Sequence, residues 1–135
     1  MKIKTVMSTP VITIGIDETL LTASRLMKEN NIKHLPVVDP QGRLLGIMTD
    51  RDLKKASASD ATSLEVHELL YLLDRIQAEG VMTRHPVTVT AESDLRTAAK
   101  LMVENKIGCL PVLKGEELIG IITKDDLLRL VAKGG

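Results

Sequence analysis

The sequence predicts a mixed α/β (α+β) fold, in which two copies of one βαββα repeat are joined by a helical linker. Three observations predict it. Short motifs return in the same order at a nearly constant offset. Within each copy, β-branched runs alternate with stretches of helical period. The segment between the copies has an apolar helical period of its own. Val6-Met7-Ser8 returns as Val81-Met82-Thr83, Leu35-Pro36-Val37-Val38 as Leu110-Pro111-Val112-Leu113, and Gly46-Ile47-Met48-Thr49 as Gly120-Ile121-Ile122-Thr123. The offset is 75 residues from Val6 to Val81 and 74 from Leu44 to Leu118, the change falling in one turn. The repeats set the expected boundaries: residues 1–56, a linker over 57–79, and residues 80–135.

Each element follows from local pattern. Val11 to Ile14 and Val87 to Val89 are short β-branched runs and predict strands. Leu20, Ala23, Ser24 and Met27 share one helical face, as do Leu95, Ala98, Ala99 and Met102, with Thr19 and Asp94 in N-cap position. Leu35 to Val38 and Leu44 to Met48 predict a hairpin through Asp39-Pro40-Gln41-Gly42, repeated in the second copy through Lys114-Gly115-Glu116. Final helices are expected to start near Asp50 and Lys124. In the linker, a polar lead-in (Ser57, Ser59, Asp60, Thr62, Ser63) precedes Val66, Leu69, Leu70, Leu73 and Ile76 at helical spacing, with Ser63 as the cap. Leu72 and Tyr71 fall off that face and point to further packing, on another subunit for example.

Composition narrows the function. Eighteen basic residues balance 18 acidic ones, which gives no reason to expect nucleic acid or an anionic membrane as partner. Phe and Trp are absent, so no stacking platform for single-stranded nucleic acid is expected. The lone Cys109 excludes an internal disulfide and fits a reducing, cytoplasmic compartment. Met1 to Ile14 lacks the apolar core of a signal peptide, and no apolar run reaches the roughly 20 residues of a membrane span.

The order Val81-Met82-Thr83, strand, helix, Ile107-Gly108-Cys109-Leu110-Pro111-Val112, Gly120-Ile121-Ile122-Thr123 and Asp126 resembles the cystathionine-β-synthase (CBS) domain. Two such domains in tandem resemble a Bateman module. The stretch Ser59 to Leu69 is similar to the linker of acetoin-utilisation-type CBS proteins, some of which carry an ACT domain that is not expected here. The resemblance implies repeats packed about a pseudo-twofold axis and two clefts between them for AMP, ATP, S-adenosylmethionine or another adenosyl ligand. It also implies pairing of modules as homodimers, with a regulated protein as a further partner.

Candidate site residues follow residue by residue. Thr49-Asp50-Arg51-Asp52 and Thr123-Lys124-Asp125-Asp126 sit where a strand feeds a helix. A first-turn carboxylate can accept two hydrogen bonds from a ribose diol, and in ligand-binding CBS domains the matching Thr and Asp contact ribose. The same spacing is close to a capping box, so Thr49, Asp52, Thr123 and Asp126 have a structural reading beside the ligand reading. Lys33 and His34 match phosphate-contacting positions, and Arg51 and Lys124 add positive charge. The second copy has Gly108-Cys109 instead of the basic pair, so unequal clefts are expected. By likeness, the base walls are Ser8, Val11, Ile12 and Ile32 in one cleft. Those of the other are Thr83, Pro86, Val87, Ile107 and Gly108. Ile32 and Ile107 can equally be core.

His34, His67 and His85 lack metal-site spacing, and no Gly-rich phosphate loop or activated nucleophile is assembled. The expectation is a non-enzymatic regulatory module that requires no cofactor. The alternative is a ligand-free dimerisation and protein-interaction module.

Overall fold

The computed structural model describes residues 1–58 and 65–134. The described residues form five α-helices and two small sheets, and fold into two compact units, each with its own core. The units do not follow the repeat boundaries. Met1–Val11 joins Pro86–Gly135 in one unit, and Ile12–His85 forms the other.

The unit of residues 12–85 is built on β1 (Ile14–Gly15), α1 (Leu20–Asn30), β2 (His34–Val38), β3 (Leu44–Thr49), α2 (Asp50–Ala58), α3 (Val66–Leu73) and β4 (Thr83–Arg84). The sheet order is β1-β2-β3-β4: β1 runs parallel to β2, and the other neighbours are antiparallel. Helix α1 presents Leu20, Ala23 and Met27 to the core, where Leu35, Val37 and Met48 from the sheet are fully buried. The helix starts where the Thr19 hydroxyl accepts from the Thr22 N–H, and ends at Asn31, which adopts the left-handed conformation (φ 52°). In the hairpin turn, the Asp39 carboxylate accepts from the backbone N–H groups of Gln41 and Arg43 and pairs with the Arg43 side chain at 2.9 Å. Those donors hold its pKa below the ordinary carboxylate value.

The other unit repeats this plan with β5 (Val89–Thr90), α4 (Leu95–Asn105), β6 (Cys109–Lys114), β7 (Glu117–Thr123) and α5 (Lys124–Ala132). Ile3 is fully buried in its core beside Leu110, Val112 and Ile122. The first residues are tied down by backbone bonds from Ile3 N–H to Ser93 O and from Ser8 N–H to Ile121 O. Lys2 and Lys4 clamp Glu92 from the same segment, at 2.6 and 2.8 Å. Residues 80–85 do the matching job in the other unit, where Met82 is buried and Thr83 pairs with Ile47. Each repeat body is thus completed by the segment that opens the other repeat.

Gly46 and Gly120 mark where those segments cross. A Cβ on Gly46 would lie 2.7 Å from both the Met82 sulfur and the Thr83 carbonyl oxygen, and one on Gly120 2.5 Å from the Met7 sulfur. The motifs Gly-Ile-Met-Thr and Gly-Ile-Ile-Thr thus place a residue without a side chain where each crossing segment passes closest.

Three expectations change. The strands predicted over Val11 to Ile14 and Val87 to Val89 shrink to Ile14–Gly15 and Val89–Thr90, because only these residues have partners on β2 and β6. Ser63, the expected linker cap, lies outside the described residues with the rest of the lead-in after Ala58; Glu65 occupies the N-cap position of α3. That helix stops at Leu73 and does not include Ile76, whose carbonyl accepts the Leu20 N–H at 2.9 Å as the chain runs beside the start of α1. Of the apolar face read there, Leu73 is buried and Val66 is exposed. Leu72 is half-buried, while Tyr71 is exposed with the Arg75 guanidinium over its ring at 4.7 Å.

Candidate functional site

The strand-to-helix junctions organise the site residues. In the unit of residues 12–85, β3 ends at Thr49 and α2 begins at once. The Thr49 hydroxyl accepts the Asp52 N–H at 3.1 Å, and the Asp52 carboxylate accepts the Thr49 N–H at 2.9 Å through Oδ2. This reciprocal pair is a capping box, so the structural reading of these residues is realised. It also fixes the carboxylate: Asp52 is half-buried, and among the hydrogen bonds of the described residues none reaches its Oδ1. Sheet register sets the basic pair beside it. His34 lies opposite Thr49, and the Lys33 carbonyl accepts the Asp50 N–H at 2.8 Å. Lys33 and Arg51 are exposed, and His34 is half-buried. Thr83 is exposed on β4, whereas Ile12 and Ile32 pack against this unit's core.

The other junction has the same frame with different chemistry. Thr123 and Asp126 form the equivalent capping box at 2.8 and 3.2 Å, but the second Asp126 oxygen accepts the Ser8 hydroxyl at 3.2 Å. Cys109 lies opposite Thr123, and Gly108 O accepts the Lys124 N–H at 2.9 Å. Val87 and Ile107 pack on the core, and Val11, Pro86 and Gly108 are half-buried. Lys124 lines a groove between α4 and α5.

The residues expected to wall a base are divided between the two compact units. Ser8 and Val11 belong with Pro86, Val87, Ile107 and Gly108, and Ile12 and Ile32 belong with Thr83. The pairing of Ser8 with Asp126 was not legible, because the two lie at opposite ends of the chain. Their recurrence as Thr83 and Asp52 was the only available signal.

The CBS domain family matches residues 3–59 and 78–133. The chain belongs to that family. It is 41% identical over 132 residues to a CBS domain-containing protein of Dictyostelium discoideum, across 97% of this chain and 91% of that one. Among solved structures, the CBS domain pair of protein MJ0100, in complex with 5′-methylthioadenosine and S-adenosyl-L-methionine, superposes with a TM-score of 0.86. It is 28% identical and is matched over 98% of its length and 100% of this chain. A putative acetoin utilization protein (AcuB) from Vibrio cholerae gives 0.82 at 31% identity, over 98% of this chain and 91% of its own. The homoserine O-acetyltransferase of Methanosphaerula palustris is 31% identical, but this CBS pair spans 24% of its length, so the likeness carries no acetyltransferase activity.

Two other features bear on chemistry. Cys109 is buried, and desolvation pushes its thiol up to about 12, which makes it a packing residue and a poor nucleophile. The possible ligand atoms of Glu65, His67 and Glu68 lie within 4.8 Å of one another, but all three side chains are exposed at the start of α3. No helix among the described residues is long and apolar enough to cross a membrane.

Proposed function

We propose that this CBS pair is a cytoplasmic, non-catalytic regulatory module that binds an adenosyl compound such as AMP, ATP or S-adenosylmethionine. The observation that carries the reading is the repeated first-turn carboxylate. Asp52 and Asp126 are each held by a capping box beside an edge segment of the sheet. Fixed carboxylates of this kind suit a ribose diol, with Thr49 and Thr123 as their supports. The MJ0100 pair, a relative that holds two adenosyl compounds, supports the ligand class.

The phosphate end belongs with Asp52. Lys33, His34 and Arg51 adjoin that junction, whereas the Asp126 junction has Lys124 beside Gly108 and Cys109. The base would lie against Ile12, Ile32 and Thr83 near Asp52. Near Asp126 it would lie against Ser8, Val11, Pro86, Val87, Ile107 and Gly108. Such a ligand signals by binding one conformation of the module more tightly than another, to a second copy or to a regulated protein. No cofactor is needed for this role.

Calorimetry with AMP, ATP, S-adenosylmethionine and methylthioadenosine tests the reading. A binder at a hundred times its Kd raises stability by roughly 2.7 kcal/mol. Absence of heat and of any melting shift across the panel would leave the pair as an interaction module without a ligand.

A further inference from the structure

Ser8 and Thr83 occupy one position of the repeat, 75 residues apart, and the backbone treats them alike. Ser8 pairs with Ile121 through backbone bonds of 2.8 and 3.2 Å, and Thr83 lies antiparallel to Ile47, which stands 74 residues before Ile121. The preceding methionine packs on a glycine in both cases, Met7 on Gly120 and Met82 on Gly46. The carboxylates beside them are equivalent as well, since Asp52 and Asp126 each accept the N–H of their capping threonine through Oδ2. Only the side-chain contact differs. The Ser8 hydroxyl donates to Asp126 Oδ1 at 3.2 Å, whereas no hydrogen bond among the described residues joins Thr83 to Asp52. One repeat therefore has a donor of its own on the oxygen that its twin leaves open.

We propose that Ser8 determines how strongly the Asp126 junction reads the sugar of its ligand: its hydroxyl stands where a ribose hydroxyl would bind and competes with it. This role rests on the adenosyl reading above and adds a selectivity to it. The Ser8 backbone is fixed by its two bonds to Ile121. The donor is therefore displaced by rotation about one side-chain bond, without withdrawal of the segment. A diol that binds Asp126 makes a hydroxyl–carboxylate bond and breaks one of the same kind, so its net gain is small. At Asp52 the same diol meets an oxygen that no donor of the chain occupies, and keeps the whole gain. The ligand class follows. The Asp126 junction takes adenosyl compounds with little regard to their 2′- and 3′-hydroxyls, deoxyribose forms included, and the Asp52 junction favours the intact diol. Ser8 is exposed, so its displaced hydroxyl regains water, which limits the competition to several-fold and short of exclusion.

Calorimetry with adenosine and 2′,3′-dideoxyadenosine tests this on the full chain carrying Asp52→Ala, in which the Asp126 junction is read alone. The two affinities should be close. Adding Ser8→Ala should tighten adenosine roughly three- to tenfold and leave the dideoxy compound unchanged. Loss of a contact between Ser8 and the base would shift both compounds alike, so the ratio isolates the sugar. Circular dichroism checks folding, and Ser8→Cys, a weak donor of similar size, replaces Ser8→Ala should that variant unfold. An unchanged ratio on removal of the hydroxyl, or a shift against adenosine, overturns the competition alone. Asp126→Ala added to the Ser8→Ala chain should abolish the preference for adenosine. A preference that persists there overturns the ribose role of Asp126 together with the competition. Binding by the wild type that is lost in Asp52→Ala and not restored by Ser8→Ala overturns this inference and leaves the adenosyl reading standing. No binding by the wild type or by any variant overturns both.

Discussion

The Ser8 hydroxyl donates to the Asp126 carboxylate at 3.2 Å, joining the segment that opens the first repeat to the last helix of the second. The other Asp126 oxygen already accepts the Thr123 N–H, so both oxygens are engaged within the chain. At the matching junction, Asp52 has one oxygen in its capping box and the other open among the described residues. A ribose hydroxyl must displace or share Ser8 at one site and meets an open acceptor at the other. Asp52→Ala is therefore expected to weaken AMP or ATP binding roughly 10- to 100-fold, the loss of a charge-assisted hydrogen bond. Asp126→Ala should have a smaller effect on these phosphorylated ligands. Calorimetry on the two variants checks this, and equal losses would contradict the inequality of the junctions.

Local signals in the sequence were strong where one short stretch decides the outcome. Thr19 and Asp94 cap α1 and α4, and Asp50 and Lys124 begin α2 and α5, because caps and strand-to-helix changes depend on neighbouring residues. The grouping of Ser8 with Asp126 and of Thr83 with Ile47 was not legible. It depends on which body each edge segment joins, and the burial of Ile3 and Met82 that decides this is non-local. The ends of β1 and β5 were misjudged for a related reason. A β-branched run such as Val11 to Ile14 indicates burial, whereas a ladder also needs a partner strand alongside.

Substitution at the paired glycines should separate two kinds of crowding. In Gly46→Ala the new methyl meets a backbone carbonyl, Thr83 O at 2.7 Å, as well as the Met82 sulfur. In Gly120→Ala its nearest neighbours are side-chain atoms of Met7, which can rotate. Overpacking costs typically 1–3 kcal/mol. Gly46→Ala is expected near the upper end and Gly120→Ala near the lower, as measured by urea denaturation of each variant. A larger loss for Gly120→Ala would refute the distinction.

The clamp on the first residues should respond to acid and to salt. Hydrogen bonds from Lys2 and then Lys4 lower the Glu92 pKa from the ordinary 4.5 to about 2. The folded value lies below the unfolded one, so the clamp's contribution is fully present above pH 4.5. It fades as the pH falls through the folded value near 2. All three side chains are largely exposed, so screening keeps the effect small and 1 M salt should reduce it further. Melting of the wild type and of Glu92→Gln across that range isolates the group from the other carboxylates. The two curves should differ at pH 5 and converge towards pH 2, and a gap that widens in acid would have the wrong sign.

Cys109 offers a probe of how tightly the second repeat is closed. The residue is 6% exposed on β6, opposite Thr123, and burial pushes its thiol up to about 12. The thiolate is the reactive form, so at pH 8 the native chain should react with a thiol reagent far more slowly than the unfolded chain. Labelling then requires a local opening around β6, and its rate reports that opening. An adenosyl ligand bound beside Gly108 and Asp126 should slow it, because a ligand that prefers the closed form lowers the open population in proportion to its occupancy. A ligand confined to the Asp52 junction should leave the rate at Cys109 unchanged. Mass spectrometry of labelling time courses, with and without each adenosyl compound, therefore assigns the occupied junction without a bound structure. Rapid labelling of the native chain would instead show that the burial of this strand is not maintained in solution.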